Sequence, residues 1–432
     1  MARLDRRDFL KLLAATGLQA AVPWSARAQS TFTPYTGPLF VSISARGAWD
    51  VTSLCDPKAD PTINTWAADG TGAAQTGNIS YAPWAANAET FFTTFRDHML
   101  VVNGIDTGTN AHDAGVTHSW SGRQSEGYPS WPALCAAVHG PTQPIAMLYN
   151  GGYGETANVI RYSRVTDPSD LGRLVNSEYL EGRSQGQPVY EDRFYLEADQ
   201  ARLRAWQDQR LADVQGDAAI LPRQRSAADA LYLARLGAAE LDAFGDLLAA
   251  ETLSGDLLQR QAQIALLSYL AGLTVSADLQ LGGFDTHDDH DTRHQPLLEQ
   301  LLAGVLFLFQ RAGELGISDR LVVTMGSDFS RTPRYNDVDG KDHHPIGSAM
   351  VLMENAPWGN QVFGDTDDGH LPRTIDPTTG AYSESGVRIV PAHLHDLLRR
   401  VAGIESDALT AQFPLELEPE DALQPTGWQA AT

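Results

Sequence analysis

The sequence predicts an α/β fold in which a mostly parallel sheet is covered by helices on both faces and interrupted by a largely helical insertion. Three observations carry that prediction. Short, nearly continuous apolar runs such as 39–45 and 320–325 suit strands buried on both sides. Stretches with apolar spacing near 3.6 residues separate them, as helices would. Acidic residues and histidines gather just past the ends of the runs, where ligands collect in open parallel sheets.

Taken in order, Leu39 to Ala45 reads as the first strand, ended by Arg46-Gly47-Ala48-Trp49-Asp50. Residues 60–80 are rich in Gly, Asn and Thr and read as surface loop. Ala88 to Asp97 is amphipathic, and Met99 to Ile105 is a second strand. A polar loop follows, with Asp106, His112, Asp113 and His118. Trp131 to Val138 suits a helix and Pro144 to Tyr149 a third strand. Residues 151–254 then form an insertion, polar at first and mostly helical from Glu191, packed beside the sheet or over it as a lid. The alternation resumes with a strand at Ser276 to Leu281, a helix from His294 to Gly313, strands at Arg320 to Met325 and Gly347 to Met353, and a late helix at Ala392 to Ala402. The core is thus expected in two halves, 29–150 and 255–432.

The first 28 residues read as a twin-arginine export signal. Asp5-Arg6-Arg7-Asp8-Phe9-Leu10-Lys11 precedes a mild apolar run, and Ala26-Arg27-Ala28 supplies a small-x-small cleavage site. The expected location is therefore the periplasm. Removing the signal takes five basic and two acidic groups from 31 Lys+Arg and 54 Asp+Glu, leaving a net charge of −26. Such a surface repels nucleic acid and anionic lipid. No later apolar run is long enough to cross a bilayer, so neither nucleic acid nor membrane insertion is expected. Cys55 and Cys135 are the only cysteines, too few for a thiolate metal site; whether they pair is open.

The chemistry concentrates in two clusters. Gly282 to His294 holds four aspartates and three histidines, and a second cluster runs from Ser327-Asp328-Phe329 to Asp342-His343-His344. Carboxylates and imidazoles are ligands for borderline divalent metals. Asp285 and His287, spaced Asp-x-His after two glycines, project to one side of an extended segment and reach one ion. Some of Asp288, Asp289, His290 and Asp291 suit the cap of the following helix. Asp328 follows a strand end, and Arg331 lies three residues on, fit to hold an anion bidentately or to pair with a carboxylate. His343 is preferred to His344 as a ligand.

With these residues in hand, the chain resembles the exported family catalogued as domain of unknown function 1501. The shared features are the twin-arginine start, Arg46-Gly47-Ala48-Trp49-Asp50, Gly283-Phe284-Asp285-Thr286-His287, Ser327-Asp328-Phe329-Ser330-Arg331-Thr332-Pro333 and Gly340-Lys341-Asp342-His343-His344. That family is similar to the alkaline phosphatase and sulfatase superfamily, which implies a three-layer alkaline phosphatase-like α/β sandwich binding one or two divalent metals. The resemblance implies that Asp285, His287 and His343 serve one metal, and that Asp50 and Asp328 serve a neighbour. Zinc leads, with calcium, magnesium or manganese as alternatives. It also places a nucleophile at Thr52 or Ser53, just past Asp50.

Two functions are open at this point. One is a periplasmic metal-dependent hydrolase of a phosphate or sulfate ester, acting on a small ester or glycan-type substrate, with Arg331 holding the anion and His118 protonating the leaving group. The other is a noncatalytic exported protein that binds a protein partner or a glycan and keeps at most one structural metal.

Overall fold

The strand Leu39–Ala45 (β1) is buried at every position, because its neighbours cover both of its edges and helices cover both of its faces. The computed structural model describes residues 33–164 and 238–427 and, between them, residues 180, 182–184, 187–189, 192–217, 219–221 and 224–225. The export signal and much of the insertion lie outside the described residues.

With β1, the central sheet contains Met99–Asp106 (β2), Met147–Tyr149 (β3), Tyr162–Arg164 (β4), Ser276–Leu281 (β5), Leu321–Gly326 (β6), Ile346–Leu352 (β7) and Gln361–Phe363 (β8). Their order is β8-β2-β7-β6-β1-β5-β3-β4. Every pairing is parallel except the two made by β7, which runs against both β6 and β2. The architecture is the expected α/β sandwich with a mostly parallel sheet. The chain in 151–254 also adds a three-residue edge strand, β4, to that sheet.

Two helical layers cover the sheet. The helices are Ala88–Phe95 (α1), His112–Ser121 (α2), Trp131–His139 (α3), Glu197–Gly216 (α4), Ala238–Ala250 (α5), Leu257–Leu270 (α6), His290–Glu314 (α7) and Pro391–Val401 (α8). Phe40, Val322 and Val351 pack with Trp131 of α3 and with Leu394 and Leu397 of α8. Their strand neighbours Val41, Val323 and Leu352 are equally buried and, by the alternation of strand side chains, face the other layer. There α6 packs on α5 and on α7. Each large side chain so buried contributes roughly 1.5–3 kcal/mol. Cys55 and Cys135 are both buried and unbonded. Among the described residues no helix is long and apolar enough to cross a membrane.

The helix α2 falls where the sequence reads as loop. It has few apolar residues and buries only Gly115, Trp120 and Ser121, so no 3.6-residue pattern marks it. Gly115 explains its position: a Cβ there would meet the Phe329 ring at 2.7 Å and the Asp328 carbonyl at 2.9 Å. The helix backbone therefore rests directly on the turn after β6.

Candidate metal centre

Segments leaving β1, β2, β5 and β6 meet at the carboxyl edge of the sheet, and the segment leading into the inverted β7 joins them there. After β1 the chain turns at Gly47 (φ 104°) and Ala48 (φ 66°). A Cβ on Gly47 would lie 2.6 Å from the Asp285 nitrogen, so only glycine lets the two turns touch. After β5, Gly283 (φ 105°) swings the chain into Asp285-Thr286-His287. Thr286 is fully buried while Asp285 and His287 are partly exposed, the alternation that the Asp-x-His spacing predicts. The Lys341 N–H donates to the Thr286 carbonyl at 3.1 Å, and Ser330–Arg331 pairs with His343–His344. These contacts carry His343 to the same spot.

Three imidazoles converge there on one carboxylate oxygen. Asp285 Oδ1 lies 3.0 Å from His287 Nε2, 3.1 Å from His343 Nε2 and 3.4 Å from His112 Nε2. Each ring's other nitrogen has an acceptor: the Asp342 carboxylate for His287 (3.0 Å), the Asn110 carbonyl for His343 (2.7 Å) and the Asp328 carboxylate for His112. Such acceptors hold the proton on Nδ1 and turn the Nε2 lone pair inward, as around metal-ligating histidines. The Nε2 atoms of His287 and His343 then face each other across 2.9 Å, a contact that a shared proton or a bound cation relieves. His112 Nε2 is buried without a hydrogen-bond partner. The ligand atoms of His112, Asp285 and His343 all lie within 4.8 Å of one another. This set fits a divalent ion.

The surroundings tune the cluster. Burial pushes the Asp285 pKa up, but the hydrogen bond and positive charge of Arg331 outweigh it and hold the group well below the usual carboxylate range. The Asp328 hydrogen bond raises the His112 pKa against burial. Asp328 also accepts from the Ala48 N–H and the Ser327 hydroxyl, each at 2.7 Å. It therefore orients His112 from behind. Arg331 is fully buried. Its guanidinium donates to the carbonyls of Ala48 (2.9 Å), Lys341 (3.1 Å) and Gly47, and to Asp285 at 2.5 Å. The donors expected to meet a substrate anion are thus spent on the protein itself.

Asp50 lies in a separate, closed pocket. Its Oδ2 accepts from Lys341 Nζ at 2.6 Å, from His290 Nε2 at 3.2 Å and from the Ser53 hydroxyl at 3.2 Å. Its Oδ1 accepts from the Thr52 hydroxyl at 2.6 Å and the Thr52 N–H at 3.0 Å. Asp50 and Asp328, expected to serve a second ion together, therefore each have other partners. Thr52 and Ser53 are 0% and 2% exposed and face Asp50 and Asn64, so neither presents a nucleophile to solvent. His118 bonds the Thr107 carbonyl at 2.8 Å through Nδ1, and burial lowers its pKa; it is not among the groups that meet Asp285. Of the residues singled out by sequence, the structure gathers Asp285, His287 and His343, and sets Asp328 and Arg331 behind them. It adds His112, whose sequence signal is a histidine just past a strand in a polar stretch, and Lys341, which the sequence marks only as part of the Gly340–His344 motif.

Beside the cluster an open cleft is lined by His112, Asp285 and Asp328 together with Arg46, Tyr153 and Gln280. Arg46 is exposed in it and, among the described residues, donates through Nη1 to the Gly151 carbonyl (3.1 Å) and Gln280 (3.4 Å).

Comparison with known proteins gives a match over residues 40–379 to the family described as "Protein of unknown function (DUF1501)". None of the curated proteins matches the sequence. Similar solved structures include a 2-O GAG sulfatase, at 9% identity and a TM-score of 0.33, covering 90% of this chain and 73% of that one. The lipoteichoic acid synthase LtaP from Listeria monocytogenes is similar at 10% identity and a TM-score of 0.35, with 82% and 74% covered. Alkaline phosphatase from the Antarctic bacterium TAB5 is similar at 9% identity and a TM-score of 0.31, with 74% and 92% covered.

Proposed function

The chain belongs to the DUF1501 family of proteins of unknown function, and we propose that it is an exported zinc-dependent hydrolase of phosphate or sulfate esters. The observation that carries this reading is the convergence of His112, His287 and His343 on Asp285 Oδ1, with every Nδ1 already held by an acceptor. Two imidazoles and one carboxylate, from His112, His343 and Asp285, favour zinc over calcium or magnesium, which prefer all-oxygen surroundings. When bound, such an ion supplies Lewis-acid polarisation of an ester oxygen and of water.

The protein's own groups do the rest. Asp328, Asp342 and the Asn110 carbonyl keep the imidazoles in their ligating tautomers. Arg331 fixes the Asp285 carboxylate and offsets its charge. In the cleft, Arg46, exposed there, offers its guanidinium to the anionic group of the ester, a planar two-point contact that suits phosphate or sulfate oxygens. The twin-arginine start supports export in the folded state.

The test is zinc content together with hydrolysis of p-nitrophenyl phosphate and p-nitrophenyl sulfate by purified protein. Wild type should hold zinc and lose turnover on chelation, and His112→Ala should lose both. Zinc retained in full by His112→Ala, or turnover indifferent to chelation, would refute the reading.

A further inference from the structure

The resemblance to two-metal enzymes puts a second ion beside Asp50, and the residues around Asp50 do not fit one. Every acceptor and donor in that pocket has a partner. Lys341 Nζ, fully buried, sits 2.6 Å from Asp50 Oδ2 and 2.7 Å from Asn64 Oδ1, the oxygens an ion there would need. The Asp50 N–H donates to His294 Nε2 at 2.9 Å, which places the His294 proton on Nδ1, 3.0 Å from the Thr286 hydroxyl oxygen. That hydroxyl then has its own proton for His290 Nδ1 at 2.7 Å, leaving His290 Nε2–H to donate to Asp50 at 3.2 Å. The proton count closes with two neutral imidazoles, one carboxylate and one ammonium. No lone pair is left to face an ion.

We infer that the Lys341 ammonium is the resident cation of the Asp50 pocket and excludes a metal from it, so that the protein works with the single ion of the His112–Asp285–His343 cluster. Lys341 also ties the two sites together. Its N–H holds the Thr286 carbonyl and its own carbonyl accepts from Arg331, so the backbone on either side of the pocket carries Asp285, His287 and His343. The count of one ion rests on the metal reading of that outer cluster; the exclusion at Asp50 does not.

Zinc per chain, measured by mass spectrometry of metals after dialysis against micromolar zinc, separates the two claims. Wild type should carry one ion. The double variant Asp50→Asn with Lys341→Met, which removes the buried charges together, should also carry one, with a dissociation constant within about threefold of wild type. His112→Ala should carry none. Two ions in wild type, an ion lost from the double variant, or an ion kept by His112→Ala would each overturn the inference. No zinc in wild type or the double variant would sink the hydrolase reading and uphold the exclusion at Asp50. If the double variant does not fold, the counts in wild type and His112→Ala decide the matter: one and none uphold it.

Discussion

Gly340 and His287 touch backbone to backbone: a Cβ on Gly340 would lie 1.8 Å from the His287 carbonyl oxygen. Neither segment can retreat. The Gly340 N–H is held by Asn336 at 2.9 Å, and the Asn336 amide in turn holds that same His287 carbonyl at 2.9 Å. Gly340→Ala should therefore cost roughly 1–3 kcal/mol, the usual penalty for overpacking. It should also weaken zinc binding at least tenfold, by moving His343 away from His287. Urea denaturation and zinc titration check both; unchanged zinc affinity would disconnect this contact from the centre.

Arg331→Lys should impair the centre through the fold. One ammonium cannot serve three carbonyls and Asp285, so buried acceptors lose their donors. Losing a buried partner in this way typically costs about 3–5 kcal/mol. The half-exposed Asp285 puts Arg331→Lys at the lower end, about 3 kcal/mol, with Arg331→Ala above it. A melting temperature equal to wild type in Arg331→Ala would show that the guanidinium is free for substrate after all.

Thr286→Val keeps the volume of the side chain but removes the hydroxyl between His290 and His294. Two buried Nδ1 atoms lose their partner, at roughly 1–3 kcal/mol. The loss should appear in urea denaturation with little change in the slope against denaturant. Stability within error of wild type would contradict the tautomers assigned to the pair.

Asp278 should give the protein a pH-dependent weakness. Burial pushes its pKa up to about 7, against hydrogen bonds from Ser42 (3.0 Å) and the Gly152 N–H (2.8 Å). Below the unfolded pKa the group is neutral in both states and costs nothing. Between that value and about 7 only the unfolded chain is ionised, so stability falls as pH rises, by on the order of 4 kcal/mol in total. Asp278→Asn retains both hydrogen bonds, because the Ser42 hydroxyl can accept as well as donate. The variant should match wild type near pH 4 and exceed its melting temperature at pH 8. A difference that does not grow with pH would be the contrary result.

What could be read from the sequence follows from where the signal is local. The strands β1 and β6 stand out because burial on both faces leaves apolar runs that turn residues interrupt. Asp285 and His287 stand out because strand alternation alone puts them on one side. His112 does not, because α2 is held by the contact of Gly115 with the Phe329 turn, and that contact leaves no periodic trace. Lys341 and Asp50 are 291 positions apart, and the motif that holds Lys341 does not reveal that the fold buries it. The hydroxyls of Thr52 and Ser53 mislead for the same reason, since their neighbours in sequence do not reveal that they point inward.

The direction of β7 has a consequence for anyone who would re-engineer this centre. Strands that share one direction can offer the rim only the residues that trail them. A strand laid the other way offers the residues that lead into it, which is how His343 arrives from the amino-terminal side of β7 while Asp285 arrives from the carboxyl-terminal side of β5. Ligands thus approach from opposite ends of the chain's travel. Their spacing is nevertheless set jointly, because 282–289 and 327–345 meet backbone to backbone at Gly340–His287 and Lys341–Thr286.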